Sequence, residues 1–227
     1  MRLVQLSVGA RPPAEGLPAG TDRHAATDAA GVDAALAEAW PGRLGAQAPR
    51  LVIDADLAGL NLVLHRLLRR GLLETVETAV LLREPVPYLS RLGLPADLDG
   101  QLRVARQGPA RLVGVVKDDS GGVCVDGASL EPWPGEEARW WLRAVVDDQR
   151  LADGTARGLR VRRLGPSELE ATVQLGRLRR RTCRGRSLQL ACDPALIVAD
   201  GVARERPRGK RTFWSEPALW RLALPAG

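Results

Sequence analysis

Short apolar runs alternate with segments of helical periodicity along the first 110 residues of the chain. The apolar runs predict strands at residues 3–8, 51–53 and 76–82. Segments whose apolar positions recur every three or four residues predict helices at residues 28–40, 60–68 and 98–107. Strands that alternate with helices are typical of a parallel sheet, so we predict an α/β domain over residues 1–111.

The pattern changes after residue 111, where apolar and polar positions alternate over many short segments. Predicted strands lie at residues 112–116, 123–125, 140–146, 159–163, 168–175, 187–191 and 219–224. Turns rich in Gly, Pro and Asp separate most of these segments, a spacing typical of an antiparallel sandwich or barrel. We therefore predict a β-sandwich domain over residues 112–227, and we leave open that its last strand returns to the first domain.

The composition supports a globular protein and argues against a membrane-spanning one. The chain has 227 residues, of which 45% are hydrophobic, and this fraction is ample for a core. No apolar run approaches the ~18–20 residues that a membrane span requires. The N-terminal segment MRLVQLSVGARPP has a single Arg and a short apolar stretch, so we expect no signal peptide and a cytoplasmic protein.

Positive charge is concentrated in the last third of the chain. From Leu151 onward there are 16 Lys and Arg against 7 Asp and Glu, whereas the first 150 residues carry 17 against 20. The densest run is RLRRRTCRGR at residues 177–186. If this run forms a strand, Arg177, Arg179 and Arg181 emerge on one face as an anion-binding stripe.

Two interpretations of this arginine run remain open. A solvated surface strand is the simpler one, and the other is contact with a lipid headgroup, a nucleotide phosphate or a peripheral anionic membrane surface. Nucleic acid is not an expected partner, because no aromatic residues interleave the run for base stacking.

The segment LVIDADLAGLNLVLHRLL at residues 51–68 predicts a strand, a tight turn and an amphipathic helix. Phosphate-binding α/β enzymes usually place a glycine-rich loop at this position. Here the turn has one glycine, Gly59, and a bulky Leu57. The carboxylates of Asp54 and Asp56 suit a divalent cation that bridges to phosphate, although a role as turn and helix-cap carboxylates is the simpler interpretation.

This segment resembles the strand, turn and helix of the diacylglycerol kinase catalytic superfamily, which includes bacterial lipid kinases and, more distantly, NAD kinases. The family turn is Gly-Gly-Asp-Gly-Thr, followed by Leu-Asn-Glu-Val. Leu60-Asn61-Leu62-Val63 fits the second part, and residues 55–59 occupy the turn. The resemblance implies a two-domain lipid kinase or NAD kinase-like fold, with Gly59 and Asn61 at the ligand site.

Two later segments continue the resemblance in the same order. Residues 79–95 resemble the family's strand plus Gly-Thr-Gly-Asn-Asp-Phe-Ala-Arg-x-Leu-Gly-Leu-Pro, with the final Leu-Gly-Leu-Pro kept at residues 92–95. Asp200 and Gly201 match the Asp-Gly-Glu turn near the C-terminus, where Val202 replaces the glutamate. The resemblance thus adds Arg83, Asp200 and Gly201 to the candidate ligand-binding residues.

Each family signature is altered at positions that serve catalysis. Leu57 replaces the aspartate of the turn, and Arg83-Glu84-Pro85-Val86 replaces Gly-Thr-Gly-Asn. Glycine allows backbone amides to approach phosphates closely, whereas side chains block that approach and proline has no amide N–H. We therefore interpret the chain as a pseudokinase that binds a phosphate-bearing or lipid ligand in the interdomain cleft, without catalytic residues or metal ligands.

Two other functions remain compatible with the sequence. A divergent ATP-dependent lipid kinase would use Asp54 or Asp56 for a metal and Arg83 for phosphate. ATP and Mg²⁺ are expected only in that case, and no other cofactor is predicted. A non-enzymatic module would instead bind an anionic partner through the basic second domain. The sequence makes no prediction of the oligomeric state.

Overall fold

The computed structural model describes residues 1–9, 12–40, 48–135, 140–203 and 208–226. The chain divides into two compact units, one formed by Met1–Val113 with Ala218–Gly227 and the other by Gly114–Pro217. The first eight elements are β1 (Leu3–Val8), β2 (Asp22–Ala26), α1 (Ala29–Ala39), β3 (Arg50–Asp54), α2 (Leu57–Arg69), β4 (Thr78–Leu81), α3 (Pro87–Arg91) and α4 (Leu98–Gln107).

The remaining elements are all strands. They are β5 (Ala110–Asp118), β6 (Val123–Cys124), β7 (Gly127–Pro132), β8 (Trp140–Val146), β9 (Gln149–Ala156), β10 (Gly158–Gly165), β11 (Glu168–Gln174), β12 (Arg180–Gly185), β13 (Ser187–Ala199), β14 (Val202–Ala203) and β15 (Arg208–Ala223). The boundaries between the two units fall within β5 and β15. In the part of the chain that the structure describes, no helix is both long and apolar enough to cross a membrane.

The first unit contains a parallel sheet. Its strands follow the order β4-β3-β1-β2, and the end of β15 joins β4 in parallel through Leu222 and Thr78. Every residue of β1, β3 and β4 is buried, as expected for strands covered on both faces. This arrangement confirms the predicted α/β class. The sequence pattern missed β2, a short polar strand, and α3, a five-residue helix.

Helix α2 begins earlier than the sequence predicted. The helix was expected from residue 60, but it starts at Leu57, directly after the N-cap residue Asp56. The Asp56 carboxylate accepts a hydrogen bond from the Gly59 amide at 2.8 Å, which satisfies one of the amides left open at a helix start. Gly71, with φ 67°, follows the last turn, and its left-handed backbone conformation ends the helix.

The second unit is built from antiparallel strands, which confirms the predicted β-rich class. Strands β12-β11-β10-β7-β13 are neighbours in that order, and β13 also pairs with β8 and β15. Alternate residues of β8 are buried, and Trp140 and Phe213 are among the large side chains of the core. Strand β13 is longer than predicted because its register shifts between Ala191 and Ala195 and it then pairs with β7.

Candidate functional site

The carboxyl ends of the parallel strands meet at one edge of the first unit. Ser7 of β1 pairs with Asp54 of β3, and Asp54 pairs with Leu81 of β4. Ligands of parallel α/β sheets usually bind at this edge. A cavity of about 10 Å³, room for one water molecule, is lined there by Ser7, Val8, Pro12, Asp54, Ala55 and Arg83. The structure therefore brings together two predicted site residues, Asp54 and Arg83.

The Asp54 carboxylate is buried and surrounded by hydrogen-bond donors. Its Oδ2 atom accepts hydrogen bonds from the Ala14 amide at 2.5 Å and from Gln5 Nε2 at 3.2 Å. A longer, weaker hydrogen bond comes from Ser7 Oγ at 3.5 Å. Gln5 also donates to the Ala14 carbonyl at 3.1 Å. A metal ion would instead need further oxygen acceptors around it. Asp54 therefore anchors the loop after β1 to the sheet.

Asp56 and Gly59 occupy the N-terminus of α2. Helix N-termini attract phosphates because their amides are open and the helix dipole is positive there. In this protein the carboxylate of Asp56 already fills that position by accepting from the Gly59 amide. Gly59 itself is required by packing, because a Cβ added to it would lie 2.9 Å from Ala55 Cβ and 3.2 Å from Val8 Cβ.

The first backbone amide after β4 also donates a hydrogen bond within the unit. The Leu82 amide donates to Gln101 Oε1 at 2.6 Å, and Gln101 Nε2 donates to the carbonyls of Leu82 at 2.9 Å and Pro95 at 3.0 Å. Gln101 is 2% exposed. Gln101 was not among the predicted site residues, although its place one turn before Val104 and Ala105 puts a polar residue on the apolar face of α4.

The two other candidates of the first unit differ in exposure. Asn61 is buried within α2 beside Leu60. Arg83 is exposed and follows the end of β4 at the small cavity. Arg83 is therefore the positively charged candidate at this edge, and its side chain is exposed to solvent. Gln5 and Ser7 were missed by the sequence analysis, and their signal was two polar residues in the apolar strand β1.

Asp200 and Gly201 form the turn between β13 and β14 in the second unit. Both have positive φ angles, 47° and 82°. The buried Asp200 carboxylate accepts from the amides of Val125 at 2.6 Å, Asp126 at 3.0 Å and Gly127 at 3.1 Å. These three bonds fasten the turn to the segment between β6 and β7. The carboxylate predicted to meet a ligand thus serves the internal structure of the unit.

The arginine run does not form the predicted stripe. Arg177 and Arg179 lie in the turn between β11 and β12, and Arg181 alone of the three belongs to β12. Only residues 180–185 of the run form a strand, because the backbone turns at Gly176 and pairing resumes only between Gln174 and Arg180. All three arginines are exposed. Within the described ranges, no group of three or more His, Cys, Asp and Glu side chains is placed to hold a metal.

Solved structures of two kinds of kinase share this architecture over nearly the whole chain. A diacylglycerol kinase from Bacillus anthracis str. Sterne is 11% identical and superposes with a TM-score of 0.67. The superposition covers 97% of this chain and 96% of that one. The protein has the fold of diacylglycerol kinases and NAD kinases. This fold is the one that the sequence resemblance implied.

Two NAD(H) kinases extend the comparison. An NAD kinase from Archaeoglobus fulgidus in complex with ATP is 12% identical with a TM-score of 0.54, covering 100% of this chain and 94% of that one. Yeast NADH kinase complexed with NADH is 12% identical with a TM-score of 0.53, covering 100% and 84%. No family model matches the chain, and no curated protein matches its sequence. At these identities the likeness concerns the fold alone.

Proposed function

We propose that this diacylglycerol kinase-like protein is a cytoplasmic pseudokinase, which binds a phosphate-bearing or lipid ligand without transferring phosphate. The fold supports descent from proteins that handle phosphate. The main support is that backbone amides at the carboxyl edge of the parallel sheet already donate hydrogen bonds within the protein.

Four backbone amides at this edge already have acceptors within the protein. Those of Ala14, Gly59 and Leu82 donate to the side chains of Asp54, Asp56 and Gln101. The Ala55 amide donates to the Leu81 carbonyl at 3.3 Å. Phosphoryl transfer depends on donors aimed at phosphate oxygens, and each missing donor costs about 3 kcal/mol of transition-state stabilisation. A nucleotide would have to displace these internal acceptors before it gained the donors.

Side chains also fill the turn that the resemblance equates with Gly-Gly-Asp-Gly-Thr. Leu57, which stands at the aspartate position, is the first residue of α2 and supplies no carboxylate. The Ala55 methyl stands where a glycine would leave space, and it blocks any Cβ at position 59. The small cavity beside this turn admits about one water, whereas ligand pockets usually enclose hundreds of Å³. This crowding supports loss of nucleotide binding at the turn.

Arg83 is the group through which the proposed site would hold a phosphate. Its guanidinium is exposed at the edge, and guanidinium groups form strong paired hydrogen bonds with phosphate oxygens. A phosphate on Arg83 would sit at the mouth of the cavity rather than inside it. This placement fits a phosphate-bearing headgroup better than a triphosphate cradled by backbone amides.

The test combines binding and activity on the full chain. We expect no ATP-dependent phosphorylation of diacylglycerol, and no triphosphate ordered beside residues 55–59 after soaking with ATP and Mg²⁺. Binding of inorganic phosphate or glycerol phosphate, measured by calorimetry, should weaken in Arg83→Ala. The matched control Arg103→Ala removes an exposed arginine from α4 and should leave that binding unchanged. Robust transfer of phosphate to diacylglycerol would refute the proposal.

A divergent active kinase is the second candidate, because Asp54 and Arg83 line the same cavity. In that mechanism Asp54 or Asp56 would hold Mg²⁺ and Arg83 would stabilise the transferred phosphate. It requires measurable lipid kinase activity that Asp56→Ala abolishes. An unchanged rate in Asp56→Ala would remove this residue from the mechanism.

A further inference from the structure

The hairpin of β11 and β12 carries an unusual residue at its turn. Leu178 is 96% exposed, more than any other large hydrophobic residue described by the structure. The turn is closed by a hydrogen bond from the Leu175 amide to the Arg179 carbonyl at 2.9 Å, and Gln174 pairs with Arg180 directly below it. A short closed turn therefore holds a leucine side chain in water, where it gains nothing from burial.

Cationic residues surround this leucine. The segment from Gly176 to Arg186 contains six arginines and no acidic residue. Arg177 and Arg179 flank Leu178 within the turn, and Arg180 and Arg181 follow on opposite faces of β12. All four side chains are exposed.

Two further arginines, Arg157 and Arg184, lie near the turn and show how far the positive charge extends. The Arg157 amide donates to the Gln174 carbonyl at 2.7 Å, so another exposed arginine lies at the base of the turn. Arg184, farther along β12, pairs with Glu170 at 3.1 Å. Positive charge is therefore densest at the leucine end of the hairpin, where the arginine side chains follow one another in sequence.

We propose that the turn at residues 175–179 docks on a bilayer that contains anionic lipids, with Leu178 inserted among the acyl chains. An apolar side chain and a group of cations are the two signals that peripheral membrane proteins combine, since either alone binds weakly. Arginine stems lie along apolar surface while their guanidinium groups reach phosphates, so both signals act at the same depth.

The chemistry of the turn favours a membrane over other anionic partners. Single-stranded nucleic acid is usually held by aromatic side chains that stack on bases, and residues 175–186 contain no Phe, Trp or Tyr. A protein partner would find one leucine on a narrow turn, which offers little area compared with the ~800 Å² that each side of a stable interface buries. A fluid bilayer accepts a single inserted side chain without needing a shaped pocket.

The expected affinity of the protein for an anionic bilayer is modest, and it has an electrostatic part from the arginines and an apolar part from Leu178. Each arginine near an anionic surface contributes about fivefold to binding. Insertion of a leucine side chain contributes at least about tenfold. The arginine part should fall steeply with salt, because exposed charges are screened, and the leucine part should persist.

The experiment measures flotation of the full chain with phosphatidylcholine vesicles, prepared with and without phosphatidylserine. We expect binding only with phosphatidylserine, at least about tenfold weaker in both Leu178→Ala and Arg177→Ala/Arg179→Ala. The matched controls are Leu112→Ala, which alters a leucine that is 50% exposed, and Arg103→Ala/Arg106→Ala on α4. Both controls should bind as the unaltered protein does. Unchanged thermal unfolding of each variant verifies that the fold is intact.

Several outcomes would overturn the inference. Absence of binding to phosphatidylserine vesicles, or equal binding to pure phosphatidylcholine, removes the anionic bilayer as the partner. Loss of binding in the arginine variant with full binding in Leu178→Ala would indicate a bare anion patch and exclude insertion. Tighter binding of a single-stranded oligonucleotide than of the vesicles, unaffected by Leu178→Ala, would assign the surface to nucleic acid instead.

Discussion

The contact between Ala55 and Gly59 gives a direct test of how the turn before α2 is filled. Gly59→Ala would place a methyl group 2.9 Å from Ala55 Cβ and 3.2 Å from both Val8 Cβ and Val8 Cγ1. Overpacking of this kind costs about 1–3 kcal/mol, whereas replacing glycine by alanine in a helix gains up to ~1 kcal/mol. We therefore expect a net loss of roughly 1–2 kcal/mol in the free energy of unfolding.

The same geometry predicts that the cost depends on Ala55. In an Ala55→Gly background the nearest obstructing atom is absent, and the 3.2 Å contacts with Val8 need shifts of only a few tenths of an ångström. Gly59→Ala should then become nearly neutral. The double-mutant cycle should give a favourable coupling of about 1–2 kcal/mol between the two sites.

Urea unfolding followed by circular dichroism measures all four proteins of the cycle. Ala58→Gly is the matched control, because it reports the alanine-to-glycine difference at the neighbouring position of α2. Additive effects, with coupling below ~0.5 kcal/mol, would contradict the reasoning. In that case Ala55 would not be the obstacle at position 59, and the turn would not be filled by side chains in the way proposed above.

Substitutions at three carboxylates test their roles in holding the fold together. Asp200→Ala leaves three amides without their acceptor and should cost about 3 kcal/mol in urea unfolding, and a loss below ~1 kcal/mol would contradict that role. Asp56→Ala removes the N-cap of α2 and should lower the free energy of unfolding by about 1 kcal/mol, whereas Asp56→Ser should retain most of that stability. Equal losses in the two variants would exclude a capping role. Burial raises the pKa of Glu77, but hydrogen bonds from Arg50 and Arg221 outweigh it and hold the pKa below its ordinary value of 4.5. Glu77 therefore stabilises the fold above pH 4.5, and this stability is lost as the pH falls through the lower folded pKa. Glu77→Gln should flatten acid unfolding in that range, and an unchanged profile would argue against the ion pair.

The sequence alone determined the class of each half of the chain. Mainly apolar runs predicted β1, β3 and β4, because strands covered on both faces are rich in apolar residues. Alternation predicted β8 and β11, since their side chains divide between the core and solvent. These patterns lie within single segments of the sequence, so they predict a strand without knowledge of the strands that pair with it.

The tertiary structure decided what the candidate site residues contact. The acceptors of the Ala14 and Leu82 amides are Asp54 and Gln101, which lie far from them in sequence and meet them only in the folded unit. For the arginine run the sequence left the backbone conformation open, whereas pairing with β11 sets the position of its turn and thereby leaves Leu178 in solvent. Hydrophobic periodicity fixes which face of an element is buried, but the partner of each polar group depends on contacts between distant segments.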